Sequence, residues 1–152
     1  MKIFIALIGI GIASASSAES YDRKEFNYRS YKPNTSIGFY TNKACDFINI
    51  DHIVSLKDAY ESGASSWSDS KKESFSNDRS NHVASCGRVN SSKGSEGPGD
   101  FLRRSNNGKG LDYEIVRFCE YVQKYYGVKV KYGLSFESNK RDPFESCGLP
   151  LI

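Results

Sequence analysis

The chain has 152 residues and a formal net charge of +3, with two histidines and four cysteines. That length supports one domain with a modest core, and so small a basic excess points only weakly to an anionic partner. No stretch of the sequence is long and apolar enough to span a bilayer, and no two cysteines have the spacing of a zinc knuckle.

The first residues read as an address. Lys2 is a minimal positive region, Ile3 to Ile12 are apolar, and "ASASSAES" supplies small residues for cleavage after Ala18. Residues 1–18 are therefore expected to be a secretory signal peptide. Its removal takes away one positive charge, Lys2, and leaves a single domain over 19–152. The product is expected to be secreted, with a periplasm as the alternative destination, and to have no membrane attachment once processed.

Residues 19–44 are aromatic and polar without helical period, and predict an extended N-terminal arm. "CDFINIDHIV" alternates and is rich in β-branched residues, which predicts a strand over about 46–54. "SLKDAYESGA" predicts a helix capped by Ser55 and stopped by Gly63, and "SDSKKESFSND" a second one from Ser68 to near Asn77. "NHVASC", residues 81–86, reads as a second strand, and "GRVNSSKG" as the start of a helix that decays into a Gly-rich loop. The clearest helical period is in "LDYEIVRFCEYVQKYYG", with Ile115, Val116, Cys119, Val122 and Tyr126 on one face and Gly127 as the stop. A last short helix is expected around Pro143. Arg103, Arg104, Lys129 and Lys131 read as generic basic surface, and Trp67 and Phe75 as packing anchors.

Two disulfides are expected in an exported chain, and four cysteines allow three connectivities. Cys45 precedes the first predicted strand and Cys86 ends the second, while Cys119 and Cys147 both fall on C-terminal helical segments. This placement favours Cys45–Cys86 with Cys119–Cys147.

The pair Asp51-His52 interrupts the apolar pattern of "INIDHIV". With only His52 and His82 in the chain, any imidazole chemistry uses one or both. No G-x-S-x-G elbow, H-E-x-x-H helix, P-loop or dinucleotide fingerprint occurs. What remains is a carboxylate beside a histidine on a strand, with asparagines further on. That set suits phosphodiester hydrolysis. Asp51 and the amide oxygen of Asn90 can hold a hard divalent cation, and a neutral His52 can take a proton from the attacking water. An imidazole with its ordinary pKa would make activity climb between about pH 6 and 7.

The blocks "DHIVSLKDAYESGASSWS", "FSNDRSNHVAS" and "VNSSKG" resemble the HNH endonucleases of the ββα-metal (His-Me finger) superfamily. More closely they resemble a secreted branch related to the C-terminal domain of GmrSD-type restriction enzymes. "YDRKEF" and "EYVQKYYGVKVKYGLSF" extend the resemblance over nearly the whole chain after residue 18. It implies an α+β fold, with a ββα-metal (HNH) core elaborated by further helices and two disulfides. It further implies His52 as general base, Asn81 as the residue orienting it, Asp51 and Asn90 as metal ligands, and Lys93 as a phosphate contact. The implied cofactor is one divalent ion, Mg²⁺ first, with Mn²⁺ also suited. The implied substrate is nucleic acid, DNA with RNA as a further candidate, cut by a monomer to leave 5′-phosphate ends. The chain departs from the pattern at His82, where Leu is usual, at Ser95, where Asp is common, and at "FLRR" in place of "WLP". His82 is expected at the surface or on the second face. Two rival readings stay open: an inactive nucleic-acid-binding module on the same scaffold, and a disulfide-held adhesive or inhibitory protein.

Overall fold

Strand β1 (Ile48–His52) forms from the centre of the alternating run, and strand β2 (His82–Cys86) from "HVASC". The computed structural model in which they are seen describes residues 20–101 and 114–151. The expected signal segment and the pair Arg103-Arg104 lie outside the described residues. The two strands pair antiparallel, Ile48 facing Cys86 and His52 facing His82. β1 is shorter than its sequence pattern because the ladder ends at Asn81: the Ile53 N–H still reaches the Asn81 carbonyl at 2.8 Å, but the Asn81 N–H turns back to the Asp78 carbonyl at 3.0 Å. Asn81 lies outside β2, closing a 3-10 turn, Arg79–Asn81, that Asp78 caps through the Ser80 N–H.

Between the strands the chain makes an excursion through two helices, each started by a serine. Ser55 caps α1 (Leu56–Glu61), its hydroxyl accepting the Asp58 N–H at 3.0 Å. Ser68 caps α2 (Asp69–Ser76) through the Lys71 N–H. Helix α3 (Gly87–Lys93) follows β2 without a loop and packs on both strands. Among the described residues the fold is thus mixed α/β, with one two-stranded sheet and short helices around it.

Helix α4 (Phe118–Tyr132) starts later than its period suggested and runs through Gly127. Its buried face is Tyr121, Val122, Tyr125, Val128 and Lys129, whereas Ile115 and Val116 precede it and Val116 is exposed. The helix continues past Gly127 because the next turn has tertiary partners. Lys129 is fully buried, its ammonium 3.0 Å from Asp58 Oδ1, 2.8 Å from the Ser135 carbonyl and 3.1 Å from Asn139 Oδ1. It is therefore an internal tie between α1 and α4, not the surface cation its sequence suggested. The helix stops at Gly133, whose φ of 67° is left-handed and suits glycine. Lys131 is exposed and bonds Asp78 at 2.5 Å.

A short helix α5 (Asp142–Glu145) places Phe144 in the core and leads to Cys147, which is bonded to Cys119. The second disulfide joins Cys45 to Cys86. The N-terminal arm is anchored by a 3-10 turn, Arg23–Phe26, that buries Phe26 edge-on to Phe75 at 6.2 Å between ring centres. Trp67 packs on Phe75 in turn, at 5.6 Å. The arm then runs beside β2, the Phe39 N–H reaching the Ala84 carbonyl at 2.8 Å. A β-carbon on Gly38 would fall 2.8 Å from Cys86 Sγ, so only glycine fits where the arm crosses the disulfide.

Candidate active site

Alternation along β1 divides the candidate residues between two faces. Asn49 and Asp51 point toward α3, and His52 points toward the end of α2 and the N-terminal arm. Asp51 is buried. Its Oδ2 accepts the Tyr40 hydroxyl at 2.6 Å, and the Lys93 ammonium stands 3.3 Å from Oδ1 and 3.2 Å from Oδ2. The same ammonium donates to the His52 carbonyl at 2.8 Å. Burial pushes the Asp51 carboxyl above its ordinary value, against the pull of Lys93 and Tyr40. Lys93 has no exposed surface, so it serves Asp51 and the strand end instead of reaching into solvent.

Asn90 lies one turn earlier on α3, and its Nδ2 donates to Asn49 Oδ1 at 3.0 Å. Asp51 and Asn49 thus share the face of β1 that meets α3, where Lys93 bonds the carboxylate and Asn90 the amide. Oxygen donors with a single carboxylate fit a hard divalent ion that keeps several waters. No group of three His, Cys, Asp or Glu side chains able to hold a metal occurs among the described residues.

His52 is 5% exposed. Its Nε2 lies 2.7 Å from the Ser76 carbonyl. A carbonyl only accepts, so the proton sits on Nε2 and the lone pair is left on Nδ1. Burial pushes the His52 pKa down to about 3, the Ser76 carbonyl opposing the shift and the neighbouring His82 and the charges of Arg23 and Lys93 adding to it. The ring is neutral at any physiological pH.

His82 is not a surface bystander. The register sets it opposite His52, with ring centres 4.6 Å apart and edge-on. Its Nε2 donates to the same Ser76 carbonyl at 2.9 Å, which leaves Nδ1 to accept the Tyr31 hydroxyl at 3.2 Å. Burial lowers its pKa as well. Tyr28 covers both rings, 4.6 Å from His52 and 5.6 Å from His82, and the Arg79 guanidinium stands 3.5 Å over the Tyr31 ring. One signal in the sequence could have found this pairing. His52 ends the first strand and His82 begins the second, which is where antiparallel strands meet.

Asn81 is buried and bonds the backbone that leaves β1. Its Oδ1 accepts the Val54 N–H at 2.8 Å and its Nδ2 donates to the Val54 carbonyl at 3.0 Å. These bonds fix the chain two residues past His52, with no bond to the ring itself. Tyr40, Asn49, Ser76, Tyr28 and Tyr31 escaped the sequence reading because each acts through a contact far away in the chain.

A disulfide-bonded mixed α/β domain with a covered Asp-His pair at a strand end is the class that fold and site define. The chain belongs to the family described as the C-terminal domain of GmrSD restriction endonucleases, whose model matches residues 13–142. An uncharacterized secreted protein of Arthroderma benhamiae is 33% identical over 105 residues, which cover 68% of this chain and 47% of that protein. The chain thus matches about half the length of that relative. No solved structure gives a significant match. The two disulfides fit an oxidising, extracellular setting. Among the described residues no helix is long and apolar enough to cross a membrane.

Proposed function

We propose that residues 19–152 form a secreted endonuclease, released from the signal peptide 1–18, that hydrolyses nucleic-acid phosphodiester bonds as a monomer with one divalent ion. β1, β2 and α3 would be its ββα-metal (HNH) core. The single observation that carries the reading is the state of His52. Its proton is held on Nε2 by the Ser76 carbonyl, and its Nδ1 lone pair is kept neutral by burial.

His52 takes a proton from the attacking water at Nδ1. Asp51 and Asn90 hold the ion, for which Mg²⁺ suits the oxygen donors and Mn²⁺ is an alternative. When bound, that ion supplies positive charge to the phosphate and to the departing 3′-oxygen. Lys93 acts by opposing the effect of burial on Asp51 and holding its carboxyl in place, a different part from the phosphate contact its position suggested. Asn81 acts by fixing the turn after His52 instead of bonding the ring. Burial also alters the expected pH profile. With His52 neutral above about pH 3, its deprotonation does not raise activity between pH 6 and 7.

The test is plasmid degradation by the purified secreted chain with Mg²⁺ or Mn²⁺, with and without chelator, on DNA and on RNA. Activity is expected with metal and lost with chelator. His52→Ala is expected to lower the rate about 10²–10⁴-fold while circular dichroism shows the fold retained. A folded His52→Ala variant as active as the wild type overturns the assignment. Salt-sensitive binding without turnover in any metal would identify the inactive nucleic-acid-binding module instead.

A further inference from the structure

A cleft of about 300 Å³ opens beside Asn90, between the 3-10 turn of the N-terminal arm, the start of α1 and the end of α3. Its lining includes Arg23, Lys57, Ser91 and Ser95 together with Tyr21 and Asn90, and no acidic residue is among the described residues that line it. Arg23, Lys57 and Ser91 are exposed and can reorient toward a ligand. The only carboxylate seen near either cation's head group is that of Glu61, a loose 3.7 Å from the half-exposed Lys57 among the described residues. Two cations and two hydroxyls, with no acid among the described lining residues, favour an anion, and arginine and lysine with hydroxyl donors suit phosphate oxygens.

The cleft also touches both halves of the candidate site. Asn90 forms part of its wall and bonds Asn49 on the Asp51 face of β1. The Arg23 guanidinium carbon lies 5.9 Å from the ring centre of Tyr28, the ring that covers His52. An anion seated here is therefore continuous with the strand end, and its volume is at the low end for small-molecule sites. That is room for a sugar–phosphate unit and too little for a folded protein segment.

We propose that this cleft seats the sugar–phosphate backbone of one nucleic-acid strand next to the reacting bond, with Arg23 and Lys57 on its phosphates. The assignment rests on the endonuclease reading for its substrate class. The contacts are to phosphate, so they carry no base preference and serve deoxyribose and ribose strands alike.

The test is fluorescence anisotropy of labelled single-stranded DNA and RNA oligonucleotides with the full secreted chain, in chelator so that nothing is cut, across a salt series. Wild type should bind both strands with an affinity that falls as salt rises. Arg23→Gln/Lys57→Gln should bind several-fold more weakly, with a salt slope shallower by about 1.4, or 0.7 per lost phosphate contact. Ser95→Asp, which places a carboxylate in the cleft, should also weaken binding. Lys57→Gln alone covers the case in which the double variant fails to fold. Lys124→Gln, at an exposed α4 lysine outside the cleft, should keep the wild-type slope.

Cleft variants with wild-type affinity and slope overturn the proposal, as does a loss confined to one type of strand. Plasmid cutting by the wild type is measured alongside. Cutting with unaffected binding in the cleft variants sinks the cleft and leaves the nuclease reading standing. Binding that depends on the cleft, without cutting in any metal, does the reverse.

Discussion

Lys93 shows how a residue's surroundings can change its role. Its position in the sequence suggested a cation reaching out to substrate, yet its ammonium spans Asp51 and the His52 carbonyl and has no exposed surface. Taking that charge away strands a buried carboxylate whose remaining partner is the Tyr40 hydroxyl. Breaking a buried pair from one side costs about 3–5 kcal/mol. Lys93→Met is therefore expected to lower unfolding free energy by about that much in urea titration. Asp51→Asn/Lys93→Met should recover part of the loss, because the second change removes the unpaired charge. A Lys93→Met cost below about 1 kcal/mol would mean that the pair is open to solvent.

At the scale of elements, the local signals could be read and the long-range ones could not. Ser55 and Ser68 announced α1 and α2 because a cap is satisfied within three residues. The strands announced themselves by alternation, although their ends were set by Asn81, nearly thirty positions from the backbone it bonds. Gly127 misled because a glycine is weak punctuation when the following turn has tertiary partners. It was Lys129 meeting Asp58 that decided the course of α4. In the site, Asp51, His52, Asn81 and Asn90 stood out by type and spacing. The histidine pairing and the burial of Lys93 did not, since both depend on which strand and helix faces meet. Gly127 now offers a direct check. A β-carbon there meets nothing within 4 Å, and the residue sits inside α4. Gly127→Ala should stabilise the protein by about 0.5–1 kcal/mol and raise Tm by about 1–4 °C. A lowered Tm would mean that the helix ends at Gly127, as its sequence alone suggests.

At the scale of the whole molecule, the two covered imidazoles tie stability to pH. His52 and His82 are both held neutral by burial, and His52 stays so down to about pH 3. In the unfolded chain each takes up a proton near its ordinary value of 6.5. Below that value the unfolded state binds more protons than the native one, so stability falls as pH falls. For His52 the window runs from about 6.5 down to about 3, with a limiting slope of about 1.4 kcal/mol per pH unit; His82 adds a loss of the same sign. Asp78, held below its ordinary value by its bonds to Lys131, Ser80 and Tyr132 despite partial burial, adds a further loss at the acid end. Asp51 works the other way, because burial raises its carboxyl and the native state takes up that proton first. Urea midpoints should therefore decline from pH 6.5 to 5, with proton uptake by the buried Asp51 offsetting part of the fall. His82→Phe keeps a ring under Tyr28 but cannot charge, and should make that decline shallower. A midpoint unchanged between pH 7 and 5 would mean that the imidazoles titrate alike in both states. The cover of Tyr28 and Tyr31 would then be open in solution, and His52 would regain the ordinary pKa that makes activity climb between pH 6 and 7.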